Sequence, residues 1–300
     1  MRVVVVGCGY VGLALAEQLD ARGHAVTGVR RSDAGLDAVE AVGPDVEAVR
    51  ADATDLDSLS ALPDADAVVF AASSGGRGAD AAREVYVDGL ANVVDEYGSR
   101  ASSPDRLVYT SSTGVYGDHD GGWVDEETPV EPTTEKTRVL AEAERIAIER
   151  AADAGIDGTV VRFAGLYGPD RYRLERYVEG PVTAGYLNMV HRDDAAGSIR
   201  HLLETDRARD GVVLVVDDEP VDKHAFADWL ADACGVPRPE KLSKDERIAA
   251  GDLSAAAERR IRTSKRCSNA LLRGLGYGFV HPTFRSGYRD AVRAYRAANG

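Results

Sequence analysis

Short runs of β-branched and apolar residues recur along the first two thirds of the chain. They fall at residues 3–6, 24–29, 46–49, 67–70, 107–109, 159–161 and 212–216. Each is continuous rather than alternating, as expected of strands covered on both faces in a parallel sheet. Between them lie stretches with apolar residues every three or four positions. Leu13, Leu15, Ala16 and Leu19 predict a first helix that Gly23 ends. Further helices are predicted over 79–97 and 135–154, the latter with Val139, Leu140, Ala143, Ile146 and Ala147 on one face. Strands alternating with helices define an α/β fold: a Rossmann-type, doubly wound parallel sheet.

The character changes after Arg162. Residues 168–188 are rich in Tyr, Arg, Gly and Pro and read as loop. Residues 222–281 predict helices without a βαβ unit, and a last helix is expected over 284–297. The expected organisation is a nucleotide-binding domain over residues 1–167, to which 186–218 return, and a smaller C-terminal substrate lobe made of 168–185 and 219–300.

The chemistry starts at Gly7-Cys8-Gly9-Tyr10-Val11-Gly12, directly behind the first strand. Gly7 allows a tight turn, Gly9 lets a pyrophosphate approach the backbone, and Gly12 lets the helix pack on the strand. The helix then presents free amides and its positive dipole end to the phosphates. The cofactor set expected from this corner is Gly7, Gly9, Tyr10, Val11 and Gly12. To it are added Asp52 and Ala53 after the third strand, Ala71, Ala72 and Ser73 after the fourth, and Thr110 and Phe163 at the ends of the fifth and sixth. Asp52 can accept from an adenine amino group or cap the next helix, a job for which Asp55 competes. The second strand ends in Arg30-Arg31, where an acid would bind the ribose hydroxyls of NAD. Arginine pairs with a 2′-phosphate, so NADP is expected over NAD, unless the arginines only cap a surface turn.

Composition narrows the partners. The chain of 300 residues has a net charge of −14, and only five of its 36 basic residues are lysine: Lys136, Lys223, Lys241, Lys244 and Lys265. An acidic surface argues against nucleic acid and anionic membranes. It fits a halophilic source or an acidic cytosolic protein of a high-GC genome. Cys8, Cys234 and Cys267 offer neither disulfide nor metal-ligand spacing, so no metal is expected and a cytoplasmic location is. No apolar stretch reaches membrane-span length, and no signal peptide is expected because the chain opens on its first strand.

Several segments together resemble the short-chain dehydrogenase/reductase superfamily, closest to its extended branch of nucleotide-sugar epimerases and dehydratases. They are the glycine turn, Asp52, residues 109–117 (YTSSTGVYG), 162–169 (RFAGLYGP) and 188–196 (NMVHRDDAA). Residues 264–269 (SKRCSN) and 275–285 (LGYGFVHPTFR) resemble an atypical subgroup of NAD(P)-dependent epimerase/dehydratase-like proteins. The resemblance implies a catalytic Ser, Tyr and Lys, the last two spaced Tyr-x-x-x-Lys. The tyrosine acts as acid/base, the lysine lowers its pKa and holds the nicotinamide ribose, and the serine binds the substrate oxygen. Ser112 falls on the serine position. The tyrosine position falls on Thr134 and the lysine position on Arg138, so the usual motif is missing. Arg138 can still hold the ribose but is a poor proton relay. Tyr86 takes the place of the helix asparagine.

Other groups are open as proton donor: Tyr116, favoured by its place on the Ser112 turn, then His119, Tyr167, and His191 with Asp193 and Asp194. Each also reads as packing, loop or helix cap. Gly165 stands where epimerases carry an asparagine toward the diphosphate, and Arg171, Arg173 and Arg176 could meet an anionic substrate or form a solvated stripe. The expectation is an NADP-dependent oxidoreductase or epimerase/dehydratase acting on a small carbonyl, hydroxyl or nucleotide-sugar substrate, with a homodimer implied by the resemblance. The alternative is an NADP(H)-binding sensor that has lost its chemistry.

Overall fold

The computed structural model describes residues 1–75, 78–251 and 253–299. Residues of the first two thirds of the chain build a seven-stranded, fully parallel sheet. The strands are β1 (Arg2–Val6), β2 (Ala25–Arg30), β3 (Val46–Arg50), β4 (Ala67–Phe70), β5 (Arg106–Ser112), β6 (Asp157–Phe163) and β7 (Gly211–Val215), in the spatial order β7-β6-β5-β4-β1-β2-β3. Each expected strand is present; β5 and β6 are each four residues longer than expected and the others agree within a residue at either end. The order reverses at β1, so a crevice opens where β1 and β4 diverge at their C-terminal ends.

Five helices of consequence flank the sheet. They are α1 (Tyr10–Asp20), α2 (Asp33–Glu40), a continuous helix α3 over residues 79–98, a second continuous helix α4 over residues 135–153, and α5 (Arg192–Glu204). Both long helices contain a π-helical stretch, Glu84–Gly89 in α3 and Ile146–Arg150 in α4. They lie side by side on one face of the sheet, clamped by paired contacts. Arg83 holds Glu142 at 2.8 and 2.5 Å, and Arg150 holds Asp95 at 2.8 and 2.6 Å. Val4, Phe70, Leu107, Tyr109, Val139, Ala143 and Ala147 pack between helices and sheet. On the opposite face α5 packs on α1, with Gln18 Nε2 donating to Asp193 O at 2.9 Å.

The chain divides into two compact units. The first comprises residues 1–115, 132–163 and 192–215 and carries this sheet. The second comprises 116–131, 164–191 and 216–300. Among the described residues the second holds four two-strand ladders, including Gly165–Tyr167 with Met189–His191 and Trp123–Val124 with Arg266–Cys267. Its own core gathers Tyr167, Leu174, Met189, Phe226, Leu230, Phe284 and Tyr288.

The segment read as loop contains the helix Leu174–Glu179, whose Leu174 and Val178 are buried four residues apart. A single i,i+4 apolar pair is too short a signal to stand out from the surrounding polar residues. The final helix is two, Phe284–Gly287 and Arg289–Asn299.

Candidate functional site

The glycine turn is docked by its backbone. Gly7 N and Cys8 N both reach Val29 O, at 3.2 and 3.1 Å, so the turn is tied to the end of β2. Gly7 has φ +80°, and a Cβ there would lie 2.2 Å from Ala72 Cα. No side chain fits, because the turn closes directly on the segment leaving β4. A Cβ on Gly12 would meet Val5 Cγ1 at 3.1 Å, which is the close helix–strand packing expected of that position. The glycines and Ala72 are therefore brought together, and the amide-rich start of α1 is left facing the crevice.

Arg30 completes this corner. Its Nη1 donates to Cys8 O at 3.0 Å and lies 2.9 Å from where a Gly9 Cβ would be. Its guanidinium thus lies against the turn, with no carboxylate partner among the described residues. Arg31 instead pairs with Asp52 at 3.1 Å. Asp52 also accepts from Thr54 N and Thr54 Oγ1, at 3.0 and 2.9 Å. Burial works to raise its pKa, but the bonds from Thr54 and Arg31 outweigh this and hold the carboxyl below its ordinary range. Asp55, not Asp52, caps the following turn by accepting from Asp57 N. Beside Ala71 and Ala72, Ser73 leads into Ser74, whose amide donates to Tyr86 Oη at 3.2 Å. Tyr86 sits in the π-helical stretch of α3, a feature common at functional sites.

At the other end of the corner β5 finishes at Thr110, Ser111 and Ser112. Thr110 Oγ1 donates to Phe70 O at 3.3 Å. Ser112 is half-buried and its Oγ accepts from Gly114 N at 3.1 Å, leaving its proton to donate. A Cβ on Gly114 would lie 3.3 Å from Ser112 Oγ and 3.7 Å from Thr137 Cγ2, so the first turn of α4 lies beside Ser112. That turn is built by a capping box. Thr134 Oγ1 accepts from Thr137 N and Thr137 Oγ1 accepts from Thr134 N, each at 3.0 Å. The Thr134 hydroxyl is committed to its helix. Arg138 extends outward and pairs with Glu135.

Tyr116 ends the 3₁₀ turn Thr113–Tyr116 and is fully buried, its hydroxyl donating to Asp125 O at 2.6 Å. His119 Nε2 meets Tyr116 O at 2.9 Å. Tyr167 and His191 are buried in the aromatic cluster of the second unit, with ring centroids 5.3 Å apart. Asp194 is fully buried within the first turn of α5.

A buried network escaped the sequence reading. Glu144 of α4 accepts from Ser111 Oγ at 2.5 Å and from Arg162 Nε and Nη2 at 3.0 and 2.7 Å. Ser111 and Arg162 are register partners, immediately before Ser112 and Phe163. The signal was present: an arginine closing an apolar strand needs a carboxylate on the covering helix.

Strand, glycine turn and helix, closing on the ends of β2 and β4, define a dinucleotide-binding protein. The family follows from comparison. The model of the NAD dependent epimerase/dehydratase family matches residues 3–211, and the chain belongs to that family. Protein YeeZ of Escherichia coli K12 is 33% identical over 244 residues, covering 80% of this chain and 86% of that protein. A candidate NAD-dependent epimerase/dehydratase of Methylobacillus flagellatus superposes with a TM-score of 0.76 at 30% identity, covering 100% of this chain and 99% of that one. The human epimerase family protein SDR39U1, solved with NADPH, shares the fold with a TM-score of 0.74 at 20% identity over 98% of this chain and 99% of its own. Among the described residues, no helix is long and apolar enough to cross a membrane.

Proposed function

We propose that this protein is an NADP-dependent oxidoreductase or epimerase/dehydratase acting on a small carbonyl, hydroxyl or nucleotide-sugar substrate. The observation that carries the cofactor choice is Arg30. Its guanidinium lies on the glycine turn without a carboxylate partner among the described residues. A 2′-phosphate there would gain charge-assisted, planar hydrogen bonds, whereas the ribose hydroxyls of NAD would meet a guanidinium, which only donates, in place of the carboxylate that binds them. SDR39U1, solved with NADPH, is compatible with this choice.

The residues present fit the cofactor: Gly7 lets the turn close tightly on Ala72, Gly9 has no side chain to keep a pyrophosphate from the backbone beside Arg30, and the start of α1 supplies amides. Bound there, NADP would supply or accept a hydride. Ser112, with its proton free to donate, holds the substrate oxygen. Arg138 would leave Glu135 to reach the nicotinamide ribose. The proton donor is the open part of this reading. Thr134 is spent on its helix, and the Tyr116 hydroxyl is spent on Asp125 O. Those two occupied hydroxyls favour a second reading, an NADP(H) sensor without turnover.

The test is binding followed by turnover, in high salt to suit a halophilic, cytoplasmic protein that would pair as a homodimer. NADPH should bind at least tenfold more tightly than NADH, and Arg30→Ala should remove most of that preference, about 1.4 kcal/mol or more. A preference left intact by Arg30→Ala sinks the cofactor reading. In a screen of carbonyl and sugar substrates, turnover lost on Ser112→Ala supports the enzyme. Tight NADPH binding with no turnover on any substrate supports the sensor.

A further inference from the structure

Lys223, Lys244 and Arg176 in the second unit have no ion-pair partner among the described residues. Lys223, at the start of the helix Lys223–Cys234, is half-buried, and its Nζ has no hydrogen-bond or ion-pair partner among the described residues. Asp222 is beside it in sequence, but its carboxylate accepts from His224 N and Ala225 N at 2.9 and 3.1 Å. Lys244 Nζ donates to the backbone oxygen of Arg262 at 2.7 Å, and neither it nor Arg176 has an ion-pair partner among the described residues. Burial, and then the charges of Lys244 and Arg176, hold the Lys223 ammonium below its ordinary pKa, with Asp222 offsetting only part of this. The chain carries 50 acidic residues against 36 basic ones, so a shortage of carboxylates does not explain the gap. Leaving a half-buried ammonium unpaired is costly unless something else meets it.

The geometry around Lys223 is specific. A Cβ built on Gly185 would lie 3.3 Å from Lys223 Nζ and 3.7 Å from Ser264 Oγ. An ammonium and a hydroxyl thus converge on one point, beside a residue with no side chain to fill it. Lys223 N donates to Gly185 O at 2.9 Å, which ties the helix start to this loop. Ser264 is 5% exposed, and its Oγ accepts from Tyr186 N at 3.3 Å. Its own proton has no acceptor among the described residues. Two donors without acceptors, flanked by two further positive charges, call for a compact oxyanion carrying more than one negative charge.

We propose that Lys223 and Ser264, with Lys244 and Arg176 around them, bind a phosphate-monoester group of the substrate. One phosphate oxygen takes the charge-assisted bond from the ammonium and another the hydroxyl proton. Two negative charges match the flanking cations better than the single charge of a carboxylate. This rests on the proposed enzymatic function and on the expectation that the C-terminal lobe binds substrate, and it narrows that substrate to a phosphorylated carbonyl or hydroxyl compound.

Calorimetric titration of the full chain tests it, with inorganic phosphate and ribose 5-phosphate as probes, ribose as control, and ionic strength fixed. Arg30 would itself attract phosphate, so the titration is run on NADPH-saturated protein and, independently, on Arg30→Ala protein without cofactor. Both phosphates should bind and ribose should not. Lys223→Gln should weaken binding about tenfold, the loss of one charge-assisted bond. Ser264→Ala should weaken it by a smaller factor, Lys223→Arg should restore it, and Lys136→Gln should leave it unchanged. The proposal is overturned if neither phosphate binds the Arg30→Ala protein, or if Lys223→Gln and Ser264→Ala bind as tightly as their parent. Failure of NADPH to bind counts against the cofactor reading alone.

Discussion

Replacing Glu144 by alanine should be among the most damaging single changes in the first unit. The carboxylate is 6% exposed and satisfies two side chains that are themselves 6% exposed, Ser111 and Arg162. Removing it leaves a guanidinium in the interior without its counter-charge, a loss of about 3–5 kcal/mol for a broken buried pair. The Ser111 hydroxyl loses its acceptor as well, about 1–3 kcal/mol if it stays unsatisfied. The two overlap, since water or a shifted Arg162 can relieve both, so a total near 4–5 kcal/mol is expected, a large share of the 5–15 kcal/mol typical of a domain. Urea unfolding followed by far-ultraviolet circular dichroism measures it as a fall in midpoint at constant slope. Two further variants separate charge from shape. Glu144→Gln keeps a carbonyl for Ser111 and should cost clearly less than alanine. Glu144→Leu combined with Arg162→Leu should recover most of the loss, because a buried pair replaced by apolar side chains of similar size is often neutral. If Glu144→Ala unfolds within about 1 kcal/mol of the parent, the network is not the buried, dry pair described here.

Other expectations follow from single features. Gly7→Ala, at φ +80° and 2.2 Å from Ala72 Cα, should abolish NADPH binding, read by quenching of cofactor fluorescence; retained affinity would mean the turn can open. Burial, offset only partly by Arg30, pushes the Cys8 thiol up to about 12. The unfolded thiol ionises first, so stability is full below its ordinary pKa of 9.0 and is lost as pH rises from there toward 12, about 1.4 kcal/mol per unit. Cys8→Ala should flatten this alkaline fall in the midpoint, and an unchanged slope would contradict it. Tyr116→Phe removes the bond to Asp125 O and should cost about 1 kcal/mol without changing NADPH affinity. A tenfold loss of turnover at unchanged stability would instead make that phenol the proton donor.

The legible parts of the sequence were those whose signal is local. Val3–Val6 followed at once by three spaced glycines declares strand, turn and helix because each needs only its neighbours. The valine runs of β4 and β6 do the same for the sheet. Asp52 and Asp55 could not be told apart by pattern, because both can cap. The fold separates them by bringing Arg31 across from β2 to one and not the other. Glu144 was illegible for a related reason: its partners lie 33 and 18 residues away, and a helix wheel records a glutamate beside Ala143 and Ala147 only as an exception. In the second unit the two-residue ladders carry almost no pattern of their own. Positions such as Gly185 and Ser264 take their meaning from each other across 79 residues of chain.

The π-helical stretches in α3 and α4 have a consequence for how this chain aligns with others. An i→i+5 turn accommodates one residue more than the α-helix on either side of it. Each stretch is therefore a place where a helix can lose a residue without losing its hydrogen bonds, at the expense of turning one half about 100° against the other. In α3 the extra residue falls within Glu84–Gly89, so it sets which side chain stands at the Tyr86 position facing Ser74. Relatives with a plain α-helix here would be one residue shorter and would present a different side chain at that point. An alignment forced through without a gap would compare the wrong residues across the rest of the helix.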